Sequence, residues 1–142
     1  LKGLTELEDL ELLRNDDKIT DAGLVHLKKM TKLKRLILSG NKLTNAGLAH
    51  LRGLVELETL YLDVARVTNA GLVYLKGMKN LKNLHLEIAN QISNAGLKHL
   101  KGLTQLEQVI IWNSRITDSG VMWLKKAFPN SEIRVYGKGK NP

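Results

Sequence analysis

The 142-residue sequence contains no cysteine, and this absence excludes disulfide-stapled scaffolds and metal sites built from thiolates. No apolar run approaches the roughly 20 residues that a membrane-spanning helix needs. Glycine-rich phosphate loops, nucleophile elbows and paired-histidine motifs are also missing, so the sequence gives little support to an enzyme. We therefore expect a non-catalytic protein without a cofactor. The compartment stays open, because many exported proteins also lack cysteine.

The chain is rich in apolar residues, at 43% of the total, and in positive charge, with a formal net charge of +8. Its length and apolar share fit one domain that can bury a continuous core. A net positive charge of this size raises the question of an anionic partner.

A six-residue motif occurs five times, and the first residues of successive copies are separated by 24, 24, 25 and 24 positions. Self-similarity at such a period is typical of stacked repeats. We therefore expect a stack of similar units instead of one core around one site. The copies are ITDAGL at 19–24, LTNAGL at 43–48, VTNAGL at 67–72, ISNAGL at 92–97 and ITDSGV at 116–121.

The spacing between apolar residues changes part-way along each repeat. In the second repeat Leu36 and Leu38 alternate with other residues, as in a strand with one buried face. Leu48 and Leu51 then lie three residues apart, which is the apolar stripe of a short helix. This order predicts parallel strands joined by right-handed helical crossovers. The predicted strands are centred on Leu10/Leu12, Leu36/Leu38, Leu60/Leu62, Leu84/Leu86, Val109/Ile111 and Ile133/Val135.

A hydroxyl-bearing residue precedes every predicted helix. We expect each to act as an N-cap, with its side-chain oxygen accepting a hydrogen bond from a backbone N–H group at the helix start. These residues are Thr20, Thr44, Thr68, Ser93 and Thr117.

The second repeat reads L-x-x-L-x-L-x-x-N-x-L from Leu33 to Leu43 and continues with TNAGL. This pattern resembles the leucine-rich-repeat family, with the T-[DN]-A-G-L helix start of its bacterial members and, more distantly, of F-box adapter proteins. The resemblance covers the whole chain. It implies an α/β fold, a right-handed solenoid or horseshoe with parallel strands on the concave face and short helices on the convex face. Residues 1–142 would form one domain of about five repeats, a C-terminal strand and a Gly/Lys tail.

The chain departs from the consensus in the turns after the strands. The expected asparagine is present as Asn15 and Asn41 but is replaced by Ala65 and Ser114 in other units. Extra residues at 15–18 and 87–90 are either recognition features or tolerated drift. No cysteine occupies the positions at which the F-box type carries it.

The first seven residues align with residues 51–57 in the middle of a repeat. We therefore expect the natural chain to begin earlier than residue 1, and this chain to be a fragment truncated at its N-terminus.

Four histidines are candidates for a metal or catalytic site, and three of them occupy equivalent positions on the predicted helices. Equivalent positions on adjacent helices are roughly 8–10 Å apart, too far to share a metal whose nitrogen bonds are about 2 Å long. His85 differs, because it points out of the concave face near Glu87 and Asp63. Such a group can coordinate zinc or act as a base, but a solvated polar patch is the simpler interpretation. The helical histidines are His26, His50 and His99.

Positive charges recur near the end of each predicted helix. A cation there interacts favourably with the helix dipole by roughly 0.3–1 kcal/mol, which is a structural reason for its recurrence. The alternative is a basic stripe on the convex side that binds nucleic acid or an anionic membrane. The recurring cations are Lys2, Lys28, Arg52, Lys76, Lys101 and Lys125. A second column alternates in sign and favours in-register stacking. It contains Glu8, Lys34, Glu58, Lys82 and Glu107.

Strand residues that alternate with the buried leucines face the concave side. Several are large apolar or aromatic side chains, which mark interaction sites when they cluster, although scattered exposed hydrophobic residues are also normal. We predict that this face binds a protein or peptide, with Trp112 as the strongest single candidate. The predicted partner-binding residues are Arg35, Ile37, Tyr61, Asp63, His85, Glu87, Ile110, Trp112, Arg134 and Tyr136.

Two further interpretations stay open. In the first, the repeats are a scaffold for an enzymatic or adapter domain outside this chain. In the second, separate copies of the chain associate at high concentration through an uncovered sheet edge near Leu1, Leu4 and Leu7.

Overall fold

The computed structural model describes residues 4–13, 19–39 and 43–137. The predictions made at Leu1, Lys2, Asn41 and residues 15–18, and for the Gly/Lys tail after Gly137, lie outside these residues. Within them, strands alternate with short helical segments along the chain. The strands are β1 (Asp9–Leu12), β2 (Arg35–Leu38), β3 (Thr59–Asp63), β4 (Asn83–Glu87), β5 (Gln108–Ser114) and β6 (Glu132–Gly137).

All six strands form one parallel sheet in the order of the chain, from β1 to β6. Leu36 pairs with Leu60, and Leu60 pairs with Leu84, so equivalent residues of successive repeats lie side by side. The six predicted strands and their parallel arrangement are confirmed. Strands line the concave face of the solenoid and the helical segments form its convex side.

The core lies between the sheet and the helical layer. Leu36, Leu60 and Leu84 from the strands and Leu48 and Leu72 from the helical layer are all at 0% exposure. Each repeat is too small to bury this surface alone, so its leucines are covered by the repeats on either side. No helix in the described ranges is both long and apolar enough to cross a membrane.

The helical segments are shorter and tighter than an ordinary helix. Two of the five contain 3₁₀ helix, whose i→i+3 bonds turn the chain in fewer residues than an α-helix. Isolated helices of this length are marginal in water, so packing against the sheet holds them in place. The segments are α1 (Asp21–Leu24) with the 3₁₀ helix Val25–Lys29, α2 (Asn45–Leu51), the 3₁₀ helix Asn69–Leu75, α3 (Asn94–Leu97) and α4 (Asp118–Ala127).

The N-cap prediction is wrong at four of its five positions. Only Thr44 uses its side-chain oxygen as a cap, accepting a hydrogen bond of 3.2 Å from the backbone N–H of Ala46. The hydroxyls at the other four positions make no cap bond. These are Thr20, Thr68, Ser93 and Thr117.

Most of these hydroxyl groups are instead bonded to the preceding repeat. The amide of Asn45 donates to Thr68 Oγ1 at 2.9 Å, and Asn45 Oδ1 accepts the backbone N–H of Thr68 at 3.0 Å. At Thr68, Ser93 and Thr117 this bonding takes the place of the local cap, whereas Thr44 has both the local cap and the bond to the preceding repeat. We call this arrangement the Asx bridge. Its members are Asp21 with Thr44, Asn45 with Thr68, Asn69 with Ser93 and Asn94 with Thr117.

In the second to fifth copies of the six-residue motif, the glycine makes room for this bridge. A β-carbon on Gly96 would lie 2.7 Å from Asn69 Oδ1, and one on Gly71 would collide with Asn45. Gly23 in the first repeat has nothing within 4 Å. The recurrence of [DN]-[AS]-G therefore reflects contacts between repeats, because the Asx side chain of one unit fills the space above the glycine of the next.

Candidate functional site

The ten predicted partner-binding residues all lie on strands, on the side of the sheet away from the core. Two fall on each of β2, β3, β4, β5 and β6. Nine are partly buried, and Arg134 is exposed. In register, Ile37 neighbours Tyr61, Tyr61 neighbours His85, and His85 neighbours Ile110. The sheet therefore brings the predicted set together on one continuous face.

Two aromatic rings at the C-terminal end of this face are stacked. The ring centroids of Trp112 and Tyr136 lie 4.0 Å apart, with an angle of 25° between the ring planes. Contacts between aromatic rings are worth about 0.5–1.5 kcal/mol beyond the area that they bury. The pair is thus held in one geometry while both rings stay partly exposed.

A local irregularity in the sheet accompanies the stacked pair. The pairing of β5 with β6 shifts register between Ile111 and Ser114, and Asn113 adopts a left-handed conformation with φ of 53°. Asparagine tolerates this region better than most residues. Ile88, on the neighbouring repeat, also has a positive φ of 50°, and a β-branched residue there is strained. The irregularity between Ile111 and Ser114 lies beside Trp112, and irregularities of this kind in a sheet redirect neighbouring side chains.

Tyr61 occupies the middle of the concave face. Its ring lies 5.7 Å from that of His85, centroid to centroid, at an angle of 50°. Burial raises the pKa of the Tyr61 hydroxyl, and a hydrogen bond to Glu87 and the charges of Glu87 and Asp63 raise it further. The hydroxyl therefore stays protonated and donates to Glu87.

A chain of hydrogen bonds crosses the same face from β4 to β6. His85 Nε2 donates to Gln108 Oε1 at 2.7 Å, and the Gln108 amide donates to Glu132. Glu132 also pairs with Arg134. The pKa of Glu132 is lowered, first by the bond from Gln108 and then by the bond from Arg134. Gln108 and Glu132 were not among the predicted residues, although each directly precedes an inward-facing residue, Val109 or Ile133, so the alternation places both on the outward face.

Arg35, the cation at the N-terminal end of the face, is also paired with carboxylates. Arg35 Nη1 lies 2.8 Å from Asp9 Oδ1, and its Nη2 lies 2.9 Å from Glu11 Oε2. These bonds raise the pKa of Arg35, Glu11 contributing first. Both cations on the strands, Arg35 and Arg134, thus already have carboxylate partners. The aromatic groups are the more available contacts.

The ion-pair column predicted along the sheet is present in part. Lys34 pairs with Glu8 at 2.9 Å, and Lys82 pairs with Glu58 at 2.8 Å. These bonds connect neighbouring repeats across the sheet. Glu107 makes no ion pair within the described ranges.

The face does not gather a metal site. Across residues 4–13, 19–39 and 43–137, no group of three His, Cys, Asp or Glu side chains is placed to hold a metal ion. The Nε2 atom of His85 is engaged by Gln108.

Comparison with solved structures decides the fold. Internalin C2 of Listeria monocytogenes matches with a TM-score of 0.69 and 27% identity, over 94% of this chain and 53% of that one. The leucine-rich-repeat ectodomain of the receptor kinase SOBIR1 from Arabidopsis thaliana matches with a TM-score of 0.57 and 20% identity, over 92% of this chain and 69% of that one. The chain has the leucine-rich-repeat fold.

A further leucine-rich-repeat neighbour is internalin F of Listeria monocytogenes, with a TM-score of 0.71 and 24% identity, over 97% of this chain and 36% of that one. The chain therefore spans about half of internalin C2 and about a third of internalin F. No protein-family model and no curated protein sequence matches this chain. The distant likeness to F-box adapters stays a prediction, as does the assignment of residues 1–142 to a single domain.

Proposed function

We propose that this leucine-rich-repeat chain is a non-catalytic module that binds a protein or peptide through its concave face. The stacked pair Trp112–Tyr136 carries the proposal, because two large rings are held 4.0 Å apart on a strand surface and remain partly exposed. Trp and Tyr are the residue types that most often dominate binding energy. Tyr61 and His85 extend the aromatic surface toward the middle of the sheet.

Rigidity supports the same function. Binding orders interface side chains at a cost of about 0.5–1.5 kcal/mol for each flexible one. Here Trp112 stacks on Tyr136, the ring of Tyr61 lies against that of His85, and His85 is hydrogen-bonded to Gln108. Much of that ordering is already present in the free chain, so less entropy is lost when a partner docks.

The area of the face indicates the kind of partner. Six strands spaced about 4.8 Å apart and about 17 Å long present a projected surface on the order of 400 Å². A standard stable interface buries about 800 Å² on each partner. The face therefore suits a peptide, a loop, or one edge of a larger protein.

The experiment is selection of a random peptide library on the immobilised chain, followed by affinity measurement for the enriched sequences. We expect Trp112→Ala and Tyr61→Ala each to weaken binding by more than about 1 kcal/mol, roughly fivefold. Met122→Ala is the matched control, because Met122 is 70% exposed on α4 on the opposite side. Enriched peptides that ignore both aromatic substitutions but respond to Met122→Ala would contradict the proposal.

The role of a scaffold for an enzymatic or adapter domain remains an alternative. It is compatible with the length of the internalins, of which this chain spans only part. A longer chain that contains this segment would retain the concave face, and the same two aromatic substitutions would test its use there.

A further inference from the structure

Charge is divided between the two sides of the solenoid. The six strands carry five carboxylates, Asp9, Glu11, Asp63, Glu87 and Glu132, against the two cations Arg35 and Arg134. The helical side, residues 21–30, 45–54, 69–78, 94–103 and 118–128, has the opposite balance. It carries only the carboxylates Asp21 and Asp118, against the cations Lys28, Lys29, Arg52, Lys76, Lys98, Lys101, Lys125 and Lys126.

The cations of the two sides also differ in their partners. Each strand cation is paired with a carboxylate, as are Lys34 and Lys82 beside the strands. None of the eight helical-side cations makes an ion pair within the part of the chain that the structure describes. The eight cations of the convex side therefore outnumber its two carboxylates and have no carboxylate partner among the described residues. We call Lys28, Arg52, Lys76, Lys101 and Lys125, at equivalent positions of successive repeats, the cation row.

The helix dipole does not account for this row in every repeat. Its effect is confined to the last turn of a helix and grows from several aligned peptide units. α3 contains only the four residues Asn94–Leu97, and Lys101 follows its end by four residues. Lys28 lies in a five-residue 3₁₀ helix. A cation at these two places receives little benefit from a macrodipole.

Aromatic and imidazole rings accompany the row. Tyr74, His99 and Trp123 each stand two residues before a member of the row and are partly exposed. Burial lowers the pKa of His99, and the charges of Lys98 and Lys76 lower it further. Lys98 and Lys76 come from neighbouring repeats, so both cations act on the same ring, which is neutral near pH 7.

Shallow grooves between repeats bring rings and cations together. One, of about 270 Å³, is lined by Trp123, Lys98 and Leu97 with the polar side chains Asn94 and Ser119. Another, of about 210 Å³, is lined by His50 with Lys28 and Arg52. Each groove thus offers a ring surface beside positive charge.

We propose that the convex side binds a single strand of nucleic acid, with phosphates along the cation row and bases in the grooves against Trp123 and His50. Surfaces that bind single strands combine a positive track for the backbone with rings on which bases stack. A flat membrane would touch only part of a row that lies on an outward-curving surface. A duplex keeps its bases stacked within the helix, away from these grooves.

The experiment is fluorescence anisotropy of the intact chain with a labelled 15-nucleotide single strand of mixed sequence, titrated at several salt concentrations. Neutralisation of five phosphates gives a slope of log affinity against log salt of about −3.5, since each contributes about 0.7 on a single strand. Lys76→Gln with Lys101→Gln should reduce the steepness by about 1.4 and lower the affinity about 25-fold in 0.1 M salt. The control is Arg66→Gln with Arg115→Gln, which removes the same charge from two exposed loop residues outside the row.

A second readout tests the grooves independently of the charges. The chain has two tryptophans, so in a Trp112→Phe background Trp123 alone reports. We expect the single strand to quench its fluorescence at the concentrations that raise the anisotropy. Circular dichroism of each variant verifies that it is folded.

Four outcomes would overturn the proposal. They are no binding of the single strand, equal losses in the row variant and the control, an unchanged Trp123 signal during binding, and lysine-dependent binding to vesicles with 30% phosphatidylserine in place of the single strand.

Discussion

The amide oxygen of Asn69 lies 2.7 Å from the point that a β-carbon on Gly96 would occupy. The same oxygen accepts the backbone N–H of Ser93 at 2.8 Å, and the Asn69 amide donates to the Ser93 hydroxyl at 2.9 Å. One side chain therefore satisfies the start of the next helical segment and depends on the absence of a side chain at Gly96. Stacking of the repeats rests on this contact as well as on the leucines.

Replacement of Gly96 by alanine should destabilise the chain. The added methyl group meets Asn69 and the Leu72 side chain, at 2.7 and 3.0 Å, and overpacking of this kind costs about 1–3 kcal/mol. Gly23→Ala is the matched control, because nothing lies within 4 Å of its added carbon. Alanine there should stabilise α1 by up to about 1 kcal/mol. Urea unfolding of both variants measures the free energies.

A double variant separates the steric effect from a general intolerance of alanine in α3. Asn69→Ala removes the bridge and also the amide group that collides with the methyl group added by Gly96→Ala. The combination of Asn69→Ala with Gly96→Ala should therefore cost less than the sum of the two single changes. Additive losses, or equal losses at Gly96 and Gly23, would contradict the role given to the Asx bridge.

Ile88 should tolerate glycine better than a comparable isoleucine in extended conformation. Its φ of 50° is a left-handed value that costs an L-residue about 1–2 kcal/mol, and glycine is free of this cost. Ile110 lies in β5 and is partly exposed, so it serves as the control. We expect Ile88→Gly to lower the free energy of unfolding by about 1–2 kcal/mol less than Ile110→Gly does. Thermal and urea unfolding would measure both, and equal losses would show that no strain resides at Ile88.

The ionisation of Tyr61 should make the chain less stable at alkaline pH. Its pKa is raised in the folded state above the ordinary value of 10.0, so the protonated hydroxyl is favoured by folding. That contribution is complete below pH 10 and is lost as the pH rises from there through the folded-state pKa. Tyr61→Phe should therefore lose less stability than the native chain above pH 10. Glu87→Gln, which removes one cause of the shift, should bring the Tyr61 ionisation to lower pH in an absorbance titration. An ionisation of Tyr61 that is unaffected by this change would contradict the contact.

The strands were predictable because their signal is local. The alternation of Leu36 and Leu38, or of Val109 and Ile111, directly reports which side chains are buried, and a period of about 24 residues aligns one unit with the next. The outward-facing residues follow from the same alternation. Fold and face could thus be inferred without coordinates of any relative.

The contacts within the site and between repeats were less accessible to the sequence. Thr68 is a residue type that favours the N-cap position of a helix, but its hydroxyl is bonded to Asn45, 23 residues earlier. No local sequence pattern shows which of the two hydrogen bonds forms. Trp112 and Tyr136 fall in one column by alternation. Their stacking also depends on the register shift after Ile111 and on the left-handed Asn113, which are properties of the folded sheet.

The outer edge of β1 should let the chain associate with itself at high concentration. Its neighbours in the sheet lie on one side only, where β2 pairs with it, so within the described residues its other edge has no strand. Leu13, directly after β1, is 48% exposed, and Leu4 is 46% exposed. Open edges flanked by apolar side chains pair with other chains, and charged residues, especially lysine, suppress this. We expect the average mass measured by light scattering to rise with concentration, and Leu13→Lys to reduce the rise. Met122→Lys adds the same charge on α4, distant from this edge, and should have a smaller effect. A constant monomer mass in the native chain would contradict edge pairing, and equal suppression by both lysines would assign the association to net charge instead.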